Sequence, residues 1–113
     1  PADGAPFTLA DQTVTLQWAS IGSLRENEAY QVTIVDVTEG NERKLVAYVT
    51  DTKYIIPTSF RPSDAMPHVI RWWVTTVRQV GTDDTGNPIW ESAGAASLQR
   101  AFTWSGVAGT PSP

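Results

Sequence analysis

One histidine, His68, is the only imidazole in the chain, and it is accompanied by twelve carboxylates and no cysteine. His68 follows Pro67 at the head of an apolar run. There it reads as a solvated edge residue, because a general base needs a plausible set of acid or nucleophile partners and none stands out. Ser and Thr are abundant, yet no Gly-x-Ser-x-Gly elbow presents one of them as a nucleophile. Lack of Cys removes disulfides, thiolate chemistry and cysteine-based zinc sites, and one His leaves only carboxylates for a metal. The stretch Asp83-Asp84-Thr85-Gly86-Asn87 has the composition of a calcium loop but neither the alternating ligand spacing nor the closing Glu. It reads as a hairpin turn whose Asp and Asn tolerate left-handed backbone geometry. Glycine-rich phosphate cradles and Asn-x-Ser/Thr sequons are absent. The expectation is a non-catalytic chain with no catalytic, cofactor-binding or metal-binding residues.

Tryptophan is the one excess, five in 113 residues. Trp18, Trp104 and one of the adjacent pair Trp72 and Trp73 are most simply core, since large aromatics dominate the interiors of small β domains. If Trp72 faces inward, Trp73 faces outward with Val35 and Val77 on its side. Trp90, near a loop end, is either a second exposed aromatic or a plug folded back into the core. Val35, Trp73, Val77 and Trp90 are therefore the candidate interaction face. An outward Trp with apolar neighbours marks a protein interface or a sugar-stacking platform. The competing reading is that Arg71, Arg78 or Gln31 covers it by stacking and snorkelling.

The element that must position these residues is His68 to Val80, a run rich in β-branched and aromatic residues with no Gly or Pro. Such a run suits a pleated surface. Alternation places Ile70, Trp72 and Val74 on one face and Arg71, Trp73, Thr75 and Val77 on the other. Before it come Phe7 to Ala10, an edge strand after Pro6; Thr13 to Ala19, with Val14, Leu16 and Trp18 on one side; Ala29 to Thr38, with Tyr30, Val32 and Ile34 opposed to Gln31, Thr33 and Val35; Lys44 to Thr50; and Tyr54 to Ile56. Thr58 to Pro67 reads as a corner with Phe60 plugging the core. Gly81 to Pro88 is turn chemistry, Ile89 and Trp90 begin a return interrupted near Gly94, and Ser97 to Trp104 closes the domain. No helix with a periodic apolar face is found, nor any repeat of solenoid length.

At 113 residues and 41% hydrophobic the chain fits one domain with one core. Residues 1–5 and 106–113, rich in small residues and Pro, read as linkers around a single domain at 6–105. A net charge of -4, with eight scattered basic residues, argues against nucleic acid or anionic membrane as partner. No apolar run reaches the roughly 18–20 residues of a membrane helix, and no signal peptide is seen. A start at Pro1 suggests an excised piece of a longer polypeptide. Seven short strands with turn signals between them predict an all-β, seven-stranded antiparallel Greek-key β-sandwich.

The ordered landmarks Leu16-Gln17-Trp18, Tyr30-x-Val32-x-Ile34, Tyr54-Ile55-Ile56-Pro57, Phe60, Ile70-Arg71-Trp72-Trp73-Val74 and Phe102-Thr103-Trp104 resemble a fibronectin type III-like domain of bacterial extracytoplasmic proteins. The resemblance spans roughly residues 6–104 and implies that Trp18 packs in the core against Trp72. One departure stands out. The corner Tyr that starts the family's penultimate strand is Ile70 here, so its hydroxyl tether is missing and the choice between Trp72 and Trp73 as the buried ring stays open. No Arg-Gly-Asp is present, so an adhesive loop of that type is not implied. The resemblance implies a spacer, scaffold or protein-binding module in a larger extracellular or cell-envelope protein. Its partners would be neighbouring domains of the same polypeptide or another protein, with self-association through edge strands, and with no cofactor and no membrane insertion. Carbohydrate binding through Trp73 and Trp90 and self-assembly into a surface filament are the alternatives.

Overall fold

Alternation along the central strand decides which way the whole sheet faces. In a computed structural model of the chain, residues 5–7, 13–19, 24–38, 42–62, 66–97 and 99–105 are described. They form eight strands: β1 Ala5–Phe7, β2 Thr15–Gln17, β3 Glu28–Asp36, β4 Arg43–Val49, β5 Lys53–Ile55, β6 His68–Thr82, β7 Pro88–Ala96 and β8 Arg100–Trp104. Residues 1–4 and 106–113, expected as linkers, lie outside the described residues, as do Thr8 to Ala10 and Leu98. Ala5, expected to end the first linker, belongs to β1. No α-helix occurs among the described residues; a single 3-10 turn covers Thr58–Phe60.

The strands make two sheets. The larger runs β1-β8-β6-β3-β4, with β7 also on β6, and the smaller is the pair β2-β5. Every pairing is antiparallel except β1 with β8, which run parallel from Ala5 beside Phe102 to Phe7 beside Trp104. β6 is long enough to hold β3 along one edge while its other edge is shared, β8 taking His68 to Trp72 and β7 taking Thr75 to Thr82. The return expected to break near Gly94 instead continues through it. Register shifts between Thr75 and Val77 and between Gln79 and Gly81 absorb the irregularity, as bulges do in a long antiparallel ladder.

Both sheets share one core. Ile70, Trp72 and Val74 of β6 are buried, together with Tyr30, Val32 and Ile34 of β3 and Phe102 and Trp104 of β8. Val14, Leu16 and Ile56 cover them from the small sheet, and Phe60 plugs the corner as expected. The small sheet is only three residues deep because its strand partner is short, yet backbone bonds continue past both ends: Ile56 N–H donates to Val14 O and Trp18 N–H to Thr52 O, each 3.0 Å. The choice between the paired tryptophans resolves here. Trp72 is buried and Trp73 half-buried on the opposite face. Trp18 is partly buried, edge-on to Tyr30 at 5.6 Å and tilted against Trp72 at 6.4 Å. The indole N–H groups of Trp18, Trp72 and Trp104 have no hydrogen-bond partner, so these rings contribute through apolar area and ring contacts.

Two expectations need correction. His68 is not a solvated edge residue; it is 3% exposed, with Nδ1 2.6 Å from Oδ2 of Asp36, itself fully buried. A carboxylate only accepts, so the Nδ1 of His68 carries the proton. Sequence places the two residues thirty-two apart, but β3 ends where β6 begins, and antiparallel pairing brings Asp36 opposite Ile70, one inner-face position from His68. The second concerns the β6–β7 turn. Its left-handed residue is Gly86, at φ +88°, and among the described residues no non-glycine residue has positive φ. Asp83 works through its side chain instead: Oδ1 accepts from the Thr85 N–H, the Thr85 hydroxyl and the Asn87 N–H at 2.7–3.0 Å. These donors, the Thr85 hydroxyl foremost, hold the Asp83 carboxyl below its ordinary range.

Candidate interaction face

Residues directly opposite one another in a ladder share a face, so register alone assembles the outer side of the large sheet. Val35 lies between Lys44 and Arg71, Thr33 between Val46 and Trp73, and Gln31 between Tyr48 and Thr75. Ala29 opposes Val77, and Gln79 opposes Trp90. The structure therefore brings Val35, Trp73, Val77 and Trp90 onto one face. Their exposure differs. Val35, Trp73 and Trp90 are half-buried, whereas Val77 is only 3% exposed and presents almost nothing to solvent.

The burial of Val77 has a local cause. Trp90 is neither fully exposed nor folded into the core; its ring stacks on that of Tyr48, centroids 5.0 Å apart and 11° from parallel. Those residues stand on β7 and β4, with β3 and β6 between them. A contact across two intervening strands roofs the small residue and the valine that oppose each other beneath it, Ala29 and Val77. The Tyr48 hydroxyl accepts from the Gln31 side chain at 3.0 Å, which fixes the ring from below.

Gln31 is thus committed to Tyr48, and Arg78 to an ion pair with Glu91 on the opposed strand. Arg43 donates to Phe60 O and lies 4.7 Å above the Phe60 ring. Among the described residues no guanidinium covers the Trp73 ring. Around it the face is apolar: Val46, Tyr48, Val69 and Val37 are 36–44% exposed. Val37 extends the alternation of β3, its N–H donating to Val69 O at 3.0 Å. Half of the large apolar side chains exposed among the described residues lie on this one side of the sheet. Lys44 and Arg71 border it.

Sequence reasoning missed Val37, Val46, Tyr48 and Val69. In Leu45 to Val49 both alternation classes are uncharged, so the pattern does not say which side of β4 is inward; only the pairing with β3 does. The chemistry such an apolar face supports is contact. Among the described residues no cluster of three or more His, Cys, Asp or Glu is placed to hold a metal ion, and no helix is long and apolar enough to cross a membrane. The single His–Asp pair faces the core. Comparison with family models, with curated proteins and with solved structures found no match.

Proposed function

We propose that the chain is a non-catalytic β-sandwich module, of the fibronectin type III-like Greek-key kind, that spaces and holds neighbouring domains of a larger protein. The observation that carries the spacing role is the parallel pairing of β1 with β8. First and last strands that run side by side in one direction bring the chain in at one pole and send it out at the other. Modules so connected extend when strung in tandem, whereas antiparallel terminal strands would fold the string back. The strand order supports the Greek-key reading, because β2 and β5 pair in one sheet while β3, β4, β6 and β8 pair in the other. The extracellular or cell-envelope setting, in a bacterial protein, rests on the landmark residues quoted above.

Contact with a neighbouring domain or another protein would use the outer face around Trp73, Val46, Tyr48 and Val69, since a contiguous apolar patch on a sheet marks an interaction site. Self-association through strand addition would use the open edge of β4, which Arg43 and Lys44 partly guard. The test of the module reading is small-angle scattering from two copies of the chain joined end to end. The expected result is a maximum dimension close to twice that of one copy. A folded-back pair no longer than a single copy refutes the reading.

A further inference from the structure

Past the first residue of β3 the large sheet narrows to a two-stranded arm. Glu28 is the last β3 residue opposite β6, at Arg78, and the Gln79 N–H still donates to Asn27 O at 2.8 Å. Beyond that row, among the described residues, β6 and β7 pair only with each other, Gly81 beside Ile89 and Thr82 beside Pro88. A two-stranded ribbon has no second sheet to cover its sides. Val80 is accordingly 50% exposed and Ile89 44%. Alternation sets Ile89 on the side opposite Trp90, so the stack on Tyr48 does not cover it. From residue 80 to residue 89 the only charges are Asp83 and Asp84, both exposed. The turn uses Asp83 and keeps it ionised, while the Asp84 side chain takes no part in the turn's hydrogen bonds.

The outer face of the sheet carries the complement. In its paired rows from Ala29 to Val35 the only charged residues are Lys44 and Arg71, which flank Val35 two strand spacings, about 9.6 Å, apart. Neither is bonded to a carboxylate among the described residues. The next row toward the arm presents Val46 and Trp73, about 6.6 Å further on. The arm repeats that interval. Ile89 is level with Gly81, two residues short of Asp83 and so about 6.6 Å behind the acidic tip. Opposite charges and apolar side chains thus stand at matching steps on two surfaces of one chain. They cannot meet within it, because Val80 is nine residues beyond Arg71 on β6, about 30 Å along the strand, and the arm continues the same ladder.

We propose that the arm of one copy docks on the outer face of a second copy, with Asp83 and Asp84 against Lys44 and Arg71 and Ile89 against Val46 and Trp73. The proposal rests on the reading of that face as a contact surface and supplies its occupant. Copies of a chain with net charge -4 repel one another in general, so the contact puts the acidic tip where the face is basic. It is heterologous, arm to face, and each copy keeps a face or an arm for the next. The edge of β4 takes no part, which separates this contact from strand addition.

The test is sedimentation equilibrium of the chain from micromolar to millimolar concentration. The expected result is a mean mass that rises with concentration and falls back as salt is added, since exposed charge pairs are screened. Asp84→Asn with Ile89→Ser, on the arm, should weaken association about tenfold or more, and so should Lys44→Gln with Arg71→Gln, on the face. All four positions are exposed, so thermal unfolding of both variants should match the parent. Asp83 is left unchanged because it holds the turn. Mixed in equal amounts, the two variants should form a one-to-one pair of intact arm with intact face and go no further. A strictly monomeric parent, undiminished association in either double variant, or a mixture that stays monomeric overturns the proposal. Loss in the face variant without loss in the arm variant also overturns it but leaves the contact face standing, and the scattering of the end-to-end pair is independent of both.

Discussion

Removal of the Asp36 carboxylate is expected to cost more than any other single polar change in the chain. Its Oδ2 accepts from His68 Nδ1 at 2.6 Å and its Oδ1 from the Thr38 N–H at 3.0 Å, with no solvent at either oxygen. The Thr38 hydroxyl in turn accepts from the Val69 N–H at 2.9 Å. The end of β3 is therefore tied to the start of β6 through one buried side chain. Hydrogen bonds to charged groups contribute roughly 1.5–3 kcal/mol each, so losing two gives about 3–6 kcal/mol, overlapping the roughly 3–5 kcal/mol seen when one partner of a buried pair is removed. For a domain whose total stability is of order 5–15 kcal/mol, Asp36→Ala should sit close to unfolding. Asp36→Asn keeps the shape and an oxygen for the Thr38 N–H, and once the imidazole moves its proton to Nε2 the Asn NH2 donates to Nδ1, so its cost should be roughly 1–2 kcal/mol.

Urea unfolding followed by tryptophan fluorescence measures both, because Trp72 and Trp104 are buried in the same core. The midpoint should fall with little change in slope, the mark of altered stability rather than altered compactness. An Asp36→Ala variant within about 1 kcal/mol of the parent would refute the argument, since water would then serve the imidazole as well as the carboxylate does. Equal losses for Ala and Asn would refute it differently, by showing that the charge and not the hydrogen-bonding shape is what the site requires.

The stacked pair Tyr48 and Trp90 should couple by about 0.5–1.5 kcal/mol in a double-mutant cycle to Leu, and an additive cycle would show that the rings do not act together. Gly86→Ala should cost about 1–2 kcal/mol from its positive φ alone, because no atom lies within 4 Å of the added Cβ; thermal melts that coincide with the parent's would contradict this. Asp83 gives a pH prediction. Its folded pKa is depressed, so its contribution is present above the unfolded value near 3.8 and is lost as pH falls through the folded value. The stability difference between parent and Asp83→Ala should therefore be constant at neutral pH and shrink below about pH 4, and a difference independent of pH would rule the carboxylate out. Leu16→Ala, at a site with no solvent exposure, should cost about 2–5 kcal/mol by chemical denaturation, and a loss under 1 kcal/mol would show that the small sheet does not seal the core.

What was legible in the sequence is what alternation can encode. β6 announces itself because Ile70, Trp72 and Val74 are unmistakably heavier than Arg71 and Thr75, and β3 because Tyr30, Val32 and Ile34 face Gln31 and Thr33. The pair Trp72 and Trp73 defeats that logic, since identical residues on successive positions carry no face information. Only the neighbours Ile70 and Val74 break the tie. Beyond Thr76 the alternation itself changes hand: Val77 is buried on the outer side, because Trp90 and Tyr48 roof it from strands whose pairing the sequence does not disclose.

The same limit explains the histidine. Next to Pro67 and at the head of a strand, His68 looks like a residue beside a loop, and the carboxylate nearest in sequence is Asp64, not the one at its Nδ1. The partner is Asp36, supplied by a ladder in which β3 and β6 run antiparallel and meet end to start. Local pattern gives each residue a side, and alternation carried back from Ile70 sets His68 on the inner one, although the residue itself reads as solvated. It cannot say that the inner side at that end of the sheet is closed, because closure comes from other strands. Phe60 is buried at the corner and Trp104 pairs directly with His68. A polar residue on an inward position is therefore a question about distant chain. The prediction worth drawing from any such residue is that an acceptor of complementary charge stands on the neighbouring strand's inward row.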